Sequence, residues 1–332
     1  MSPPETQLPA EGYRLTNISP KAWQHPADRA ATAALGSVPY LDQVVRKLIE
    51  LGYERALRQA YLGSSVRLSE AQLGEVWRDH AFAYSTLDVD EVPPLYLTQL
   101  PYANAAAIGA KRPIVVVLSQ LVNLLDAPQR RAVFAHEAAH VLSDHQLYFT
   151  ALLILERLAR AARLPLPLAP VRIALLEWSR AAELSCDRAA ALVVRDPLVV
   201  CRTLMSIAGG AMVEQMDLDA FMRQGMEYAE EGSGLERLTR RLIDLGLTHP
   251  MPVRRTRQLM DWVRSGEYDR IVDGEFPTRD EPLDPRAESS EAVAHYAERF
   301  RKAFRDAGEA VGSSGQQLAD WLRRDGGMDE DE

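Results

Sequence analysis

Three of the chain's seven histidines fall close together, at His136, His140 and His145. The first two, with Glu137 between them, read H-E-x-x-H. In an α-helix, side chains four residues apart share a face about 6 Å from one another. Two imidazoles so placed can both reach one zinc ion at about 2.0–2.1 Å. Glu137 is rotated one step from that pair. It stands beside such a metal without binding it, the position of a general base acting on water. A random match in a chain of this composition has an expectation on the order of 0.01. The competing reading is a helix that carries two partly buried histidines by chance.

The neighbouring residues predict the helix this geometry needs. Asp126 is a capping residue, Pro128 suits a first turn, and Gln129 stands three residues after the cap. Val133, Phe134, Ala138, Val141 and Leu142 follow at helical spacing. A catalytic zinc takes three protein ligands and keeps one open position. The third is expected on a second, Ala- and Leu-rich helix spanning Glu177–Ala190. Glu183 and Asp187 lie one turn apart there among apolar neighbours, where an uncompensated carboxylate is costly. Glu183 is assigned to the metal. Asp187 is assigned as the acceptor for a histidine N–H, which fixes the tautomer. The alternative is a solvated pair, with Glu183 bridging Arg180 and Asp187 bridging Arg188. Glu177 is a rival ligand, but six residues separate it from Glu183 and put it off that face. His145 lies near the end of the motif helix, off the metal face, where its cationic form or a structural hydrogen bond is favoured, and it is expected to support the site rather than hold the metal.

These segments together, H-E-x-x-H-x-x-x-x-H and then S-R-x-x-E-x-x-x-D-R-x-A, resemble the zinc peptidase family of the heat-shock protease HtpX and the type I CAAX prenyl protease. Those enzymes are gluzincins, with two histidines and a downstream glutamate on the metal. Asn104-Ala105-Ala106-Ala107 resembles the family's edge-strand segment, and Ile114–Leu118 resembles the strand that follows. Thr248-His249-Pro250 and Arg255 resemble its T-H-P…R segment. The resemblance spans roughly residues 91–262 and keeps the family's order of segments. It implies that His249 stabilises the oxyanion and that Arg255 is a supporting charge. It also implies a substrate peptide paired along the edge strand near Asn104. Three departures stand out: Ala106 replaces an aromatic residue, Cys186 stands where the family usually has Ala, and the membrane spans of the best-known members are missing.

Composition narrows the classes further. The 332 residues are 47% hydrophobic, enough for a sizeable core, and the net charge of −9 argues against a nucleic-acid surface. Cys186 and Cys201 are the only cysteines and read as buried free thiols in a reducing compartment. The N-terminus shows no signal peptide. The apolar run Leu147–Leu158 contains Glu156 and Arg157 and is too short to span a bilayer. A soluble cytoplasmic protein is expected. Residues 147–176 are read as a helical hairpin over the catalytic helices, with a peripheral membrane contact through that amphipathic stretch as the second reading.

The expected fold is mainly α (α+β): a gluzincin core whose small sheet precedes the H-E-x-x-H helix, flanked by N- and C-terminal helices. Three regions are expected. Residues 1–90 form a loose arm of about twenty residues and then helices, one of them starting at Ser69 with Gln72 completing a capping box. Residues 91–265 form the peptidase domain, and residues 266–332 form a linker, a C-terminal helix and an acidic tail. His80 is expected to be structural or exposed rather than a ligand. Met205, Met212, Met216, Met222 and Met226 are read as core filling rather than a recognition groove. The expected activity is zinc-dependent endopeptidase hydrolysis with one zinc per chain. The alternative is a catalytically silent zinc-binding scaffold.

Overall fold

The computed structural model describes residues 13–36, 53–150, 152, 169–230 and 251–281. In chain order its helices and strands are α1 Pro26–Gly36, α2 Tyr53–Ser64, β1 Val66–Arg67, α3 Gly74–Thr86, β2 Leu95–Thr98, β3 Ala105–Ile108 and β4 Ile114–Leu118. They continue with α4 Ser119–Leu124, α5 Ala127–Leu142, α6 Ala169–Val194, α7 Pro197–Gly209, α8 Leu218–Glu230, α9 Pro252–Arg264 and α10 Glu267–Val272. The chain is mainly helical with one small mixed sheet, as its pattern predicts. It divides into two compact units. Of the described residues, the first comprises 13–25, 55–146, 182–230 and 251–281, and the second comprises 26–36, 53–54, 147–150, 152 and 169–181. In the second unit, the ring of Trp178 packs against Tyr148 and Phe149, and its Nε1–H donates to Thr32 Oγ1.

The first unit carries the sheet, in the order β1-β2-β4-β3. All five residues of β4, Ile-Val-Val-Val-Leu, are buried, which suits a β-branched run in the interior of a sheet. It pairs in parallel with β2 and antiparallel with β3, leaving β3 at an edge. Leu118 N–H donates to Asn104 C=O, so the hydrogen-bonded pairs with β4 fall at Asn104, Ala106 and Ile108. The peptide groups of Ala105 and Ala107 therefore point away from β4.

Helix α5 begins with the capping box that the sequence predicts. Asp126 accepts from Gln129 N–H, and the Gln129 side chain accepts from Asp126 N–H. Gln129 also donates to Ser206 Oγ of α7. Beyond the cap, Arg130 and Arg131 grip opposite oxygens of the buried Asp79 on α3, at 2.8 and 2.9 Å. Helices α8 and α9 approach closely at Gly225, where a Cβ would lie 2.8 Å from Val253 C=O. Any side chain there would push the two helices apart.

Four expectations are corrected. The helix expected from Ser69 starts at Gly74, because Ser69 and Gln72 exchange backbone hydrogen bonds in a turn after β1. The arm is not loose throughout: Leu15, Ile18 and Trp23 are buried in the main core, although residues 1–12 lie outside the described residues. Part of the expected linker folds: α10 buries Tyr268 and Ile271, and Thr278 bridges back to Ile18. Of the methionines, Met205 fills core, but Met212, Met216 and Met226 are exposed. Residues 153–168, 231–250 and 282–332 lie outside the described residues. With them go most of the expected hairpin, His249, the C-terminal helix and the acidic tail.

Of the two placements expected for His80, structural or exposed, the structure shows the first. His80 is fully buried on α3, its Nε2–H donates to Pro93 C=O at 2.9 Å, and Phe134 and Tyr84 pack edge-on to its ring. Burial pushes its pKa down from 6.5 to about 4, against the pull of the Pro93 carbonyl. The unfolded chain therefore binds more protons between those values. The stability that His80 contributes is fully present above pH 6.5 and lost as pH falls through about 4. Wild type is expected to lose up to about 3 kcal/mol from this group over that window. Urea unfolding at a series of pH values checks this, since His80→Phe should show a shallower acid slope.

Candidate functional site

Helices α5, α6 and α9 converge on a buried polar cluster in the first unit. His136 and His140 come from α5, Glu183 and Asp187 from α6, and Arg255 from α9. His136 Nε2 lies 3.2 Å from His140 Nε2. Glu183 places Oε2 3.4 Å from His136 Nε2 and Oε1 3.4 Å from His140 Nε2. A tetrahedral ion with bonds of about 2.0–2.1 Å sets its ligand atoms about 3.4 Å apart. The three separations fit that triangle, so these donors suit a small divalent metal. The thiol of Cys186 also lies close, within 4.8 Å of ligand atoms of both histidines. It lies 3.8 Å from His145 Nδ1, and His145 sits against Nδ1 of His140 rather than Nε2. The carboxylate, which spans both Nε2 atoms, is therefore the better third donor.

Around this triangle lies a set of orienting contacts. Asp187 Oδ1 accepts from His136 Nδ1 at 3.1 Å. Arg255 holds the other side of the same carboxylate, through Nε to Oδ2 at 2.8 Å and Nη2 to Oδ1 at 2.5 Å. Its Nη1 reaches Glu183 Oε2 at 2.9 Å. One buried guanidinium thus ties two buried carboxylates. His140 Nδ1 meets His145 Nδ1 at 3.0 Å, just beyond the end of α5, where Asp144 takes a positive φ of 56° to turn the chain. Glu137 points elsewhere: its Oε2 accepts from Ala107 N–H of edge strand β3 at 2.7 Å.

The electrostatics follow from these contacts. Burial acts to lower the pKa of His136, but the carboxylates of Glu183 and Asp187 outweigh it and raise the group to about 9. Burial dominates at His140, and with the charge of His136 alongside it is pushed down to about 3 despite Glu183. Burial opposes the ionisation of Asp187, yet Arg255 holds its carboxyl below the usual range. Burial, and then the nearby carboxylate of Glu137, push the Tyr84 hydroxyl up.

The structure brings His136, Glu137, His140, His145, Glu183, Asp187 and Arg255 into one neighbourhood. His249 and the side chain of Glu177 lie outside the described residues. Sequence reasoning missed three contacts here: the Ala107 amide on Glu137, the direct His140–His145 bond and the placement of Cys186. Periodicity alone carried no signal for them, since each joins groups from separate elements or from an irregular turn.

Comparison with known proteins agrees with this arrangement. The model of Peptidase family M48 matches residues 68–263. Plastoglobule-localized metallopeptidase 48, chloroplastic, of Arabidopsis thaliana is 35% identical over 257 residues, which cover 75% of this chain and 74% of that protein. No solved structure matches. The fold and the site define a metalloprotease, and the chain belongs to peptidase family M48.

Removing Arg255 leaves two buried carboxylates without their cation. Arg255→Met is expected to lower stability by about 3–5 kcal/mol. Arg255→Lys keeps the charge without the fork and should lose less. Denaturant unfolding of the three proteins checks the order.

Proposed function

We propose that the chain is a zinc metalloendopeptidase that cleaves protein substrates, with His136, His140 and Glu183 holding the metal and Glu137 as general base. The observation that carries this reading is the triangle of two Nε2 atoms and one carboxylate, at 3.2, 3.4 and 3.4 Å, with Glu137 next in the helix. Zinc bound there would supply Lewis acidity and bring the pKa of water toward neutrality. Glu137 takes the proton from the attacking water and delivers it to the leaving amine. The Ala107 amide holds its carboxylate in place meanwhile. Asp187 accepts the Nδ1–H of His136, and His145 accepts that of His140, so each ring presents its Nε2 lone pair inward. Arg255 acts through Asp187 and Glu183 as a positioning residue. His249, by the resemblance, donates to the oxyanion that forms at the scissile carbonyl.

The substrate is an extended polypeptide segment paired with β3. The outward peptide groups of Ala105 and Ala107 support this, because main-chain pairing accepts many sequences. Location is a proposal of the same kind. The sequence favours a soluble cytoplasmic protein, whereas the Arabidopsis relative is chloroplastic and plastoglobule-localized. Among the described residues, only Pro197–Gln215 is long and apolar enough to cross a membrane. That run breaks from α-helix to a 3-10 turn at Gly210, whose φ is 64°, and its Val199, Val200, Cys201 and Leu204 are core residues.

Glu137→Gln should keep about one zinc per chain by elemental analysis while peptide hydrolysis falls by about 10²–10⁴-fold. Unchanged hydrolysis in that variant sinks the mechanism. Equal inactivity of wild type and variant, both with zinc bound, favours the silent scaffold. Chelation should abolish cleavage and added zinc restore it. Asp187→Asn is expected to weaken zinc binding about 10–100-fold in a competition titration.

A further inference from the structure

Helix α7 ends at Gly209, and a 3-10 turn, Gly210–Gln215, carries the chain on toward α8. This junction exposes Ile207, Ala208, Ala211, Met212 and Met216. Met212 is 55% exposed and Met216 41%. The Met216 side chain folds back over Gly209, where a Cβ would lie 2.4 Å from its sulfur, so the two ends of the junction form one surface. Single exposed apolar residues are ordinary, but several in one place mark a surface that binds something. Its position adds to this, because Ile207 lines the same opening as His136 and Glu137. The surface starts at the rim of the candidate site and leads away from it.

The charges around it are mostly of one sign. From Ile207 to Tyr228 the acidic residues are Glu214, Asp217, Asp219 and Glu227, against the single basic residue Arg223. All four acidic residues are exposed, and among the described residues none of them has an ion-pair partner. Arg202 of α7 is held by Asp196 at 3.3 Å. Thioethers set among uncompensated carboxylates complement a segment that carries large apolar and cationic side chains together. Electrostatic attraction steers such a segment in, and burial of apolar area holds it. Methionine is flexible and polarisable, so the surface adapts to many sequences. A bilayer fits less well. Its anionic headgroups would face the same carboxylates, and its interior would strip them of water.

We infer that this methionine-rich, acidic surface docks a basic, apolar stretch of the substrate polypeptide, at a distance from the bond that is cut. The inference rests on the peptidase reading proposed above. A stretch anchored here raises the effective concentration of the neighbouring segment at the rim. Main-chain pairing along β3 accepts many sequences, so a separate anchor is what chooses among them. The anchor contributes equally to bound substrate and transition state. Its loss therefore raises KM and leaves kcat unchanged.

The test uses the full-length zinc-loaded chain and two double variants at exposed positions, Met212→Gln with Met216→Gln and Glu214→Lys with Asp219→Lys. One substrate is a cleavable peptide alone. A second adds a stretch of alternating Lys and Leu, and a third replaces those lysines with glutamates. Wild type should cleave the lysine-bearing substrate with a KM about tenfold below that of the glutamate-bearing one, at equal kcat. The methionine variant should lose most of that advantage, and the charge-reversed variant should invert it. Both should cleave the bare peptide as wild type does. Equal KM values for the two extended substrates, or a difference unmoved by both variants, overturn the inference. Tighter binding to phosphatidylglycerol vesicles than to the lysine-bearing stretch overturns it as well. That stretch is also titrated by fluorescence polarisation onto the Glu137→Gln chain, with and without the methionine substitutions. Methionine-dependent binding there, with no cleavage of any substrate by wild type, removes the peptidase reading and keeps the docking surface. Cleavage by wild type without such binding removes only the docking surface.

Discussion

Two carboxylates one turn apart on α6, Glu183 and Asp187, are buried to 0% and 2% exposure, and the rest of the site depends on their neutralisation. Taking two anions out of water costs several kcal/mol each unless cations and donors meet them. Arg255 meets both, because a planar fork can address two acceptors from one side. That requirement fixes where α9 must lie. His136 is the second cation-like partner, drawn toward its protonated form by the two anions it touches. An arrangement this demanding is difficult to account for as packing alone, since apolar residues of similar volume would be no less stable.

The sheet takes part through its edge strand, β3, which packs against the motif helix. Strand β4 is buried throughout, which places β3 at an edge and turns the Ala105 and Ala107 peptide groups outward. One of those groups, the Ala107 amide, holds Glu137. The carboxylate is therefore positioned by the same strand along which a peptide would lie. Any shift of β3 by one residue would exchange inward and outward peptide groups and release Glu137.

What the sequence made legible was the part written in local periodicity. Asp126, Pro128 and Gln129 marked the start of α5, and spacing put His136 and His140 on one face. The i,i+4 pair Glu183 and Asp187 stood out because its neighbours are apolar. The strand pattern of Ile114–Leu118 needed only β-branched residues. The failures also have physical causes. Ser69 and Gln72 carry capping chemistry, but their backbones pair with each other in a turn, and nothing local distinguishes the two uses. The methionines of the 3-10 turn and α8 look like core residues by composition, yet which side of an element faces solvent is decided by its neighbours. Charged residues around Tyr268 and Ile271 hid a short helix whose two apolar residues reach the core. Arg255 was recognisable as a site residue only by resemblance, because its partners lie 68 and 72 positions earlier in the chain.

The two histidines of the motif are chemically unequal. At His136 burial opposes protonation, but Glu183 and then Asp187 outweigh it and raise the pKa to about 9. At His140 burial dominates, with the charge of His136 adding to it, and the pKa falls to about 3 despite Glu183. With the Nε2 atoms 3.2 Å apart, at most one of them can carry a proton toward the other. A cation that took both lone pairs would have to displace any such proton. The carboxylate at Nδ1 of His136 makes that ring the more basic donor, whereas His140 has an imidazole at its Nδ1. The two rings of a single helical turn are thus held by partners of different chemistry.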